Sequence, residues 1–264
     1  MDISVGIACS DWLITLNNPA QLKRLRPFIL YLAVGLFIVL LLRVCCFGVL
    51  TISSDSGHPS LLSGDRVLIN RFSYGLRLPL SRYLGYHRLG GHSYPACGDW
   101  IAFNQPLVRR DALPDTSAVY VGLVLACPGD TVWMGPDGRI SPRRSYSRGC
   151  IWPLRVPAAG TQINMSPWSV SLYSSTITRF EPQVPESLVE GLRTDGRNTS
   201  YYTFRHNYFW VFSGHESDLL DSRTFGFIPE EFIQGRVETV LYSLDSRQPF
   251  YRSLRNHRMF TPVN

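Results

Sequence analysis

From Phe28 to Leu50 the chain reads FILYLAVGLFIVLLLRVCCFGVL, apolar except at Arg43. Roughly 20 such residues cross the hydrocarbon core of a bilayer, so the run predicts one transmembrane helix. Lys23, Arg24 and Arg26 stand directly before it. The positive-inside rule then keeps the N-terminus cytoplasmic and carries everything after residue 50 outward. The run is too long for the apolar region of a cleaved signal peptide, and no small-x-small site follows it. Val44 before Cys45 makes LRVC a poor lipid-attachment site. Arg43, seven residues from the far end, either snorkels to the headgroups or faces a partner helix.

This division leaves a cytoplasmic segment over 1–27, an anchor over 28–50 and one exported domain over 51–264. With 264 residues and 45% hydrophobic content the chain can bury a core of ordinary domain size. The formal charge is +6, but Lys23 is the only lysine among the 26 basic residues, so the exported part has none. Its cations are arginines, which do not accept protons near neutral pH. They are scattered along the chain and accompany no recognised motif, which argues against nucleic acid as a partner. Cys97, Cys127 and Cys150 lie beyond the anchor. Their spacing is not that of paired metal ligands, so no metal site is expected; one bridge with a free thiol is compatible with three cysteines, and small buried side chains are the expected role.

Turn signals follow one another closely in the exported part: SGD at 63–65, CGD at 97–99, PGD at 128–130 and PDG at 136–138. Between them run RVLI, WIAF, YVGLVLA and YFWVF, short stretches rich in β-branched and aromatic residues. The pattern predicts a mainly-β domain with few helices. The best helix candidate is the membrane entry segment, starting near Asn18 with Pro19 at its first position. The stretches 108–118 and 183–199 are polar and read as surface loops.

The residues from Ser53 to Gly75, SSDSGHPSLLSGDRVLINRFSYG, together with three later stretches, resemble bacterial type I signal peptidases. Ser54, Ser56, Pro59, Leu61, Gly64, Asp65, Val67, Tyr74 and Gly75 match that family's S-x-S-M-x-P-T-L, G-D and Y-G elements, with Ser56 on the nucleophile. GDWIAFNQP from Gly98, YVGLVLACPGDTV from Tyr120 and YFWVFSGHESDLLDSRTFGFIP from Tyr208 resemble the later boxes in order. VPAAGTQINM, from Val156 to Met165, resembles an insert carried by many members. The resemblance implies an antiparallel signal-peptidase-like β-sheet domain behind one N-terminal transmembrane helix, in the bacterial inner membrane with the domain periplasmic. It implies no cofactor.

The same resemblance implies a serine hydroxyl activated by a lysine kept neutral in an apolar site, because burial penalises the charged ammonium. Alignment on Pro128, Gly129 and Asp130 places that lysine at Gly122, and the arginine after it at Leu123, without a gap. The base is absent. Gly57 replaces the methionine of the substrate cleft beside Pro59, and Gly214, His215 and Glu216 replace the G-D-N of the last box. Asp221, Ser222 and Arg223 keep its D-S-R, and Ser217 is a candidate for the serine that supports the lysine. Histidine serves as base in a eukaryotic relative, which nominates His58 and His215. His58, two residues along an extended strand from Ser56, would stand about 6–7 Å away.

Three readings follow. The chain is a catalytically degenerate signal-peptidase-like protein holding an exported polypeptide or signal peptide along a strand edge, an active serine endopeptidase with a non-lysine base, or a structural subunit of a membrane complex, the reading Arg43 favours. Its partners are accordingly an exported polypeptide, another membrane protein and membrane lipid.

Overall fold

The computed structural model describes residues 19–53, 60–77, 88–89, 93–106, 118–135, 140–141, 152–181, 201–214, 220–245, 247–249 and 253–263. The chain divides into two compact units, Met1–Val44 and Cys45–Asn264. Helix α1 (Pro19–Cys45) starts at the predicted proline and carries Pro27 inside it. Its described side chains, Pro27 to Leu40 and Arg43, are exposed. Among the described residues no helix is long and apolar enough to cross a membrane.

The expected anchor does not stay helical to its end. Phe47–Thr51 form strand β1, paired antiparallel along its whole length with β2 (Asp65–Asn70). An apolar run does not by itself separate strand from helix. Here exposure alternates along β1, and β2 supplies the partner hydrogen bonds.

In chain order the next strands are β3 (Leu76–Arg77), β4 (Arg88–Leu89), β5 (Trp100–Asn104), β6 (Val119–Ala126), β7 (Thr131–Met134), β8 (Ile140–Ser141) and β9 (Trp152–Arg155). They are followed by β10 (Gln162–Asn164), β11 (Tyr201–Thr203), β12 (Tyr208–Phe212), β13 (Ile228–Pro229), β14 (Ile233–Ser243) and β15 (Thr261–Pro262). The main sheet is antiparallel with order β1-β2-β14-β5-β6-β12-β13, and β15 adds to β14. Small sheets of β3-β4, β10-β11 and β8-β7-β9 flank it in sequence. The four predicted β-stretches are β2, β5, β6 and β12, so the mainly-β expectation holds. The two predicted loops lie almost wholly outside the described residues.

Strand β5 is buried along its whole length. Ile101 and Phe103 belong to one hydrophobic cluster, Trp100 and Ala102 to another. Successive side chains on a strand point to opposite faces, so both faces of the sheet centre are covered, which is why WIAF reads as a continuous apolar run. Helix α2 (Pro167–Phe180) contributes Val170, Tyr173, Ile177 and Phe180 to the first cluster. Its start is set by Ser166, whose hydroxyl accepts from the Ser169 amide at 3.2 Å, with Pro167 at the first turn.

The three G-D signals are built alike. In each, the aspartate amide donates to the carbonyl three residues earlier: Asp65 to Leu62, Asp99 to Ala96, Asp130 to Cys127, each at 3.1 Å. Gly64, Gly98 and Gly129 hold φ of 89°, 95° and 91°, as a type II turn requires at its third position. Each carboxylate then accepts the amide of the turn's first residue, Leu62, Ala96 or Cys127, at 2.9, 3.0 and 2.8 Å. The glycines differ in their surroundings. A Cβ on Gly64 would overlap the Leu244 carbonyl oxygen, whereas one on Gly98 would have nothing within 4 Å. Gly98→Ala should therefore cost only the left-handed backbone penalty, about 1–2 kcal/mol, while Gly64→Ala adds an overlap and should cost roughly 3 kcal/mol or more. Urea unfolding of the two variants in detergent checks this ranking.

Candidate functional site

Ser56, Gly57, His58, Pro59, His215 and Ser217 lie outside the described residues. The backbone on either side of the segment that carries Ser56 is described and firmly held. Before it, the Ile52 amide donates to the Asp65 carbonyl and the Gly64 amide to the Ile52 carbonyl, both at 2.8 Å. After it, Arg258 donates to the Ser60 carbonyl at 2.8 Å and to the fully buried Asp65 carboxylate at 2.7 Å. Arg255 donates to the Ser63 carbonyl at 3.1 Å. Two arginines near the C-terminal end thus fix the turn that follows the candidate nucleophile. No residue spacing signals this pairing, because its partners lie almost two hundred residues apart.

Gly122 sits in β6, opposite Ile101 of β5. It shares a face with Tyr120, Val124 and Ala126, the face turned to the larger hydrophobic cluster. On the other side of β6, β12 pairs with a bulge between Trp210 and Val211. A Cβ placed on Gly122 would stand 2.5 Å from Val211 Cγ1 and 2.9 Å from the Phe212 carbonyl oxygen. One of these neighbours is backbone and cannot swing aside. The position is apolar in surroundings and closed to a side chain.

The strand that closes it is held by Asp221, Ser222 and Arg223. The Asp221 carboxylate is fully buried and caps the short helix α3 (Ser222–Phe225) through the Arg223 amide at 2.9 Å. It accepts the Ser213 amide and hydroxyl, each at 3.1 Å, and the Arg223 guanidinium at 2.8 Å. The Ser222 hydroxyl accepts the Val211 amide at 2.9 Å. The Arg223 guanidinium lies over the Phe212 ring, 4.9 Å from its centroid. Val211, Phe212 and Ser213 are therefore each gripped by the D-S-R trio.

Around Asp99 a second polar cluster forms. Tyr74 donates its hydroxyl to Asp99 at 2.9 Å, and Arg236 lies 3.3 Å from the same carboxylate. Burial, reinforced by the Asp99 charge, drives the Tyr74 phenol well above its ordinary pKa. Against the expectation of small buried side chains, Cys97 is exposed and Cys127 half-buried, with their sulfurs 2.6 Å apart. The reason is their place in turns, Cys97 inside the CGD turn and Cys127 at the head of the PGD turn, rather than on a core-facing strand. Burial comes first among the causes that raise both thiol pKa values. Cys150 lies outside the described residues.

The trio's grip on β12 has a measurable consequence. Replacing Asp221 by Ala leaves a largely buried guanidinium and two Ser213 donors without their acceptor, and should cost about 3 kcal/mol of stability in urea unfolding.

Comparison with known proteins agrees with this architecture. Residues 25–144 match the family model described as signal peptidase, peptidase S26. Signal peptidase I of Buchnera aphidicola from Acyrthosiphon pisum is 25% identical over 262 residues, covering 88% of this chain and 78% of the relative. Signal peptidase I of Aquifex aeolicus is 24% identical, over 83% of this chain and 85% of its own. That of Pseudomonas fluorescens is 35% identical over a shorter stretch, 40% of this chain and 33% of the relative. The family model reaches from α1 through the β1–β2 pair and the central strands β5 and β6, and relatives aligned over most of the chain carry the same name: the chain is similar to signal peptidases of the S26 type.

Proposed function

We propose that the chain is a membrane-anchored, signal-peptidase-like protein that holds an exported polypeptide or signal peptide in extended form without cutting it. The observation that carries this reading is Gly122. A lysine base needs an apolar site and also the volume for a long side chain; the site supplies apolar neighbours in Val211 and the larger cluster, but a Cβ would already meet the Phe212 carbonyl. The only lysine of the chain, Lys23, lies before the apolar run rather than after it. Ser56 then has no lysine partner, and main-chain pairing along a strand edge remains as a way to grip an extended peptide.

The run from Phe28, preceded by Lys23, Arg24 and Arg26, supports an anchor with a cytoplasmic N-terminus and a periplasmic domain. This places Ser56 just beyond the bilayer surface, where a membrane-bound signal peptide would present its cleavage site.

Purified full-length protein in detergent, mixed with a preprotein, should give no cleavage product, while a fluorescent signal-bearing peptide should bind with equal affinity to the wild type and to Ser56→Ala. Cleavage that Ser56→Ala abolishes would overturn the proposal and point to His58 or His215 as the base. Gly122→Lys should confer no cleavage, because the added side chain displaces β12 at a cost of about 1–3 kcal/mol; urea unfolding of that variant reads the cost directly.

A further inference from the structure

Cys97 and Cys127 play no part in the proposed peptide binding, yet the fold brings them together from 30 residues apart. Cys97 occupies the turn before β5 and Cys127 the turn after β6. The first turn is tied to β6, close to where the second begins, by backbone bonds, Gly98 amide to Val124 carbonyl at 2.8 Å and Val124 amide to Asp99 carbonyl at 2.9 Å. The sulfurs stand 2.6 Å apart, and Cys97 is exposed to reagents. Asp130 reaches both residues: the Cys97 thiol donates to its carboxylate at 3.5 Å and the Cys127 amide at 2.8 Å.

Two cysteines and a carboxylate are also the donor set of a metal site. The separation argues against one. Two sulfurs on a tetrahedral zinc, each about 2.3 Å from the metal, stand roughly 3.7 Å apart. Asp130 is, moreover, already engaged by the amide that shapes its turn.

We propose that Cys97 and Cys127 are a disulfide site, closed by a disulfide-bearing oxidant and bracing the open end of the β5–β6 hairpin. Its closure in the cell rests on the exported placement of the domain, because oxidising compartments are where disulfides persist. Cys97, the exposed thiol, gives up its proton and attacks one sulfur of the oxidant, forming a mixed disulfide and releasing one thiol. Cys127 then attacks the Cys97 sulfur, losing its proton and releasing the second thiol. Two cysteine thiols are oxidised by two electrons, and the oxidant's S–S bond is reduced to two thiols. The new bond closes a loop that includes both central strands and so restricts the unfolded chain.

Full-length protein in detergent, treated with oxidised glutathione and then alkylated, should yield one peptide pair joined through Cys97 and Cys127 in a non-reducing mass map. Reduction should lower Tm by several degrees in the wild type and leave the Cys97→Ser, Cys127→Ser double variant unchanged. Alkylation of both residues after oxidation, linkage of Cys127 to Cys150, or stoichiometric zinc that is lost in Cys97→Ser would each overturn the proposal. Acid-quenched cells, alkylated before lysis, test the compartment separately. A pair that glutathione bridges in vitro but that is fully alkylated in cells supports the chemistry and overturns the exported placement.

Discussion

The buried carboxylate of Asp221 is the constraint on which the candidate site depends. A charge with no access to water is tolerated only where donors surround it. Here the Arg223 guanidinium and amide and the Ser213 amide and hydroxyl do so. Those donors come from both sides of the undescribed stretch 215–219, so satisfying the charge fixes where β12 ends. With Ser222 holding the Val211 amide and Arg223 over the Phe212 ring, the strand is clamped across β6. What lies beneath it at Gly122 is a consequence of that clamp.

Asp65, Asp99 and Asp130 repeat the logic on a smaller scale. Each shapes its own turn by accepting the amide of the turn's first residue, and each keeps its other lone pairs for a distant partner. Asp65 takes Arg258, Asp99 takes Tyr74 and Arg236, and Asp130 takes Cys97. One short motif thus does two jobs, reversing the chain and pinning the reversal to another part of the domain. At Asp65 the pinned part leads into the segment bearing Ser56, which gives the candidate nucleophile a rigid neighbour whatever its chemistry.

Much of this was legible in the sequence, for identifiable reasons. The strands β2, β5, β6 and β12 are apolar runs bounded by turn residues, and the glycines of the G-D turns announce a backbone that other residues avoid. The start of α1 at Pro19 follows from proline's missing donor. The elements that escaped notice are those set by burial instead of local preference. SVSLYSSTITRF has weak helix formers, yet α2 forms because Val170, Tyr173, Ile177 and Phe180 reach one core. Phe47–Thr51 continues an apolar run, and only its partner β2 makes it a strand. The meeting of Cys97 with Cys127 needs the β5–β6 register, and that register leaves no mark on residue spacing. As for the site itself, alignment named position 122, but only packing tells whether a side chain fits there.

On the proposed degenerate reading, packing at position 122 matters as much as the residue change. Removing a base by mutation alone would leave its cavity behind, lined with atoms short of contacts, and cavities of that kind are costly. In this chain the space is filled: Val211 and the Phe212 carbonyl have the positions that the first atoms of a side chain would need. Placing a lysine at position 122 would therefore require moving β12, and moving β12 would disturb the shell around Asp221. On the degenerate reading, the residues that preserve the fold and those that exclude the base are the same. The D-S-R trio then persists because it holds the sheet together, with no proton transfer needed to account for it.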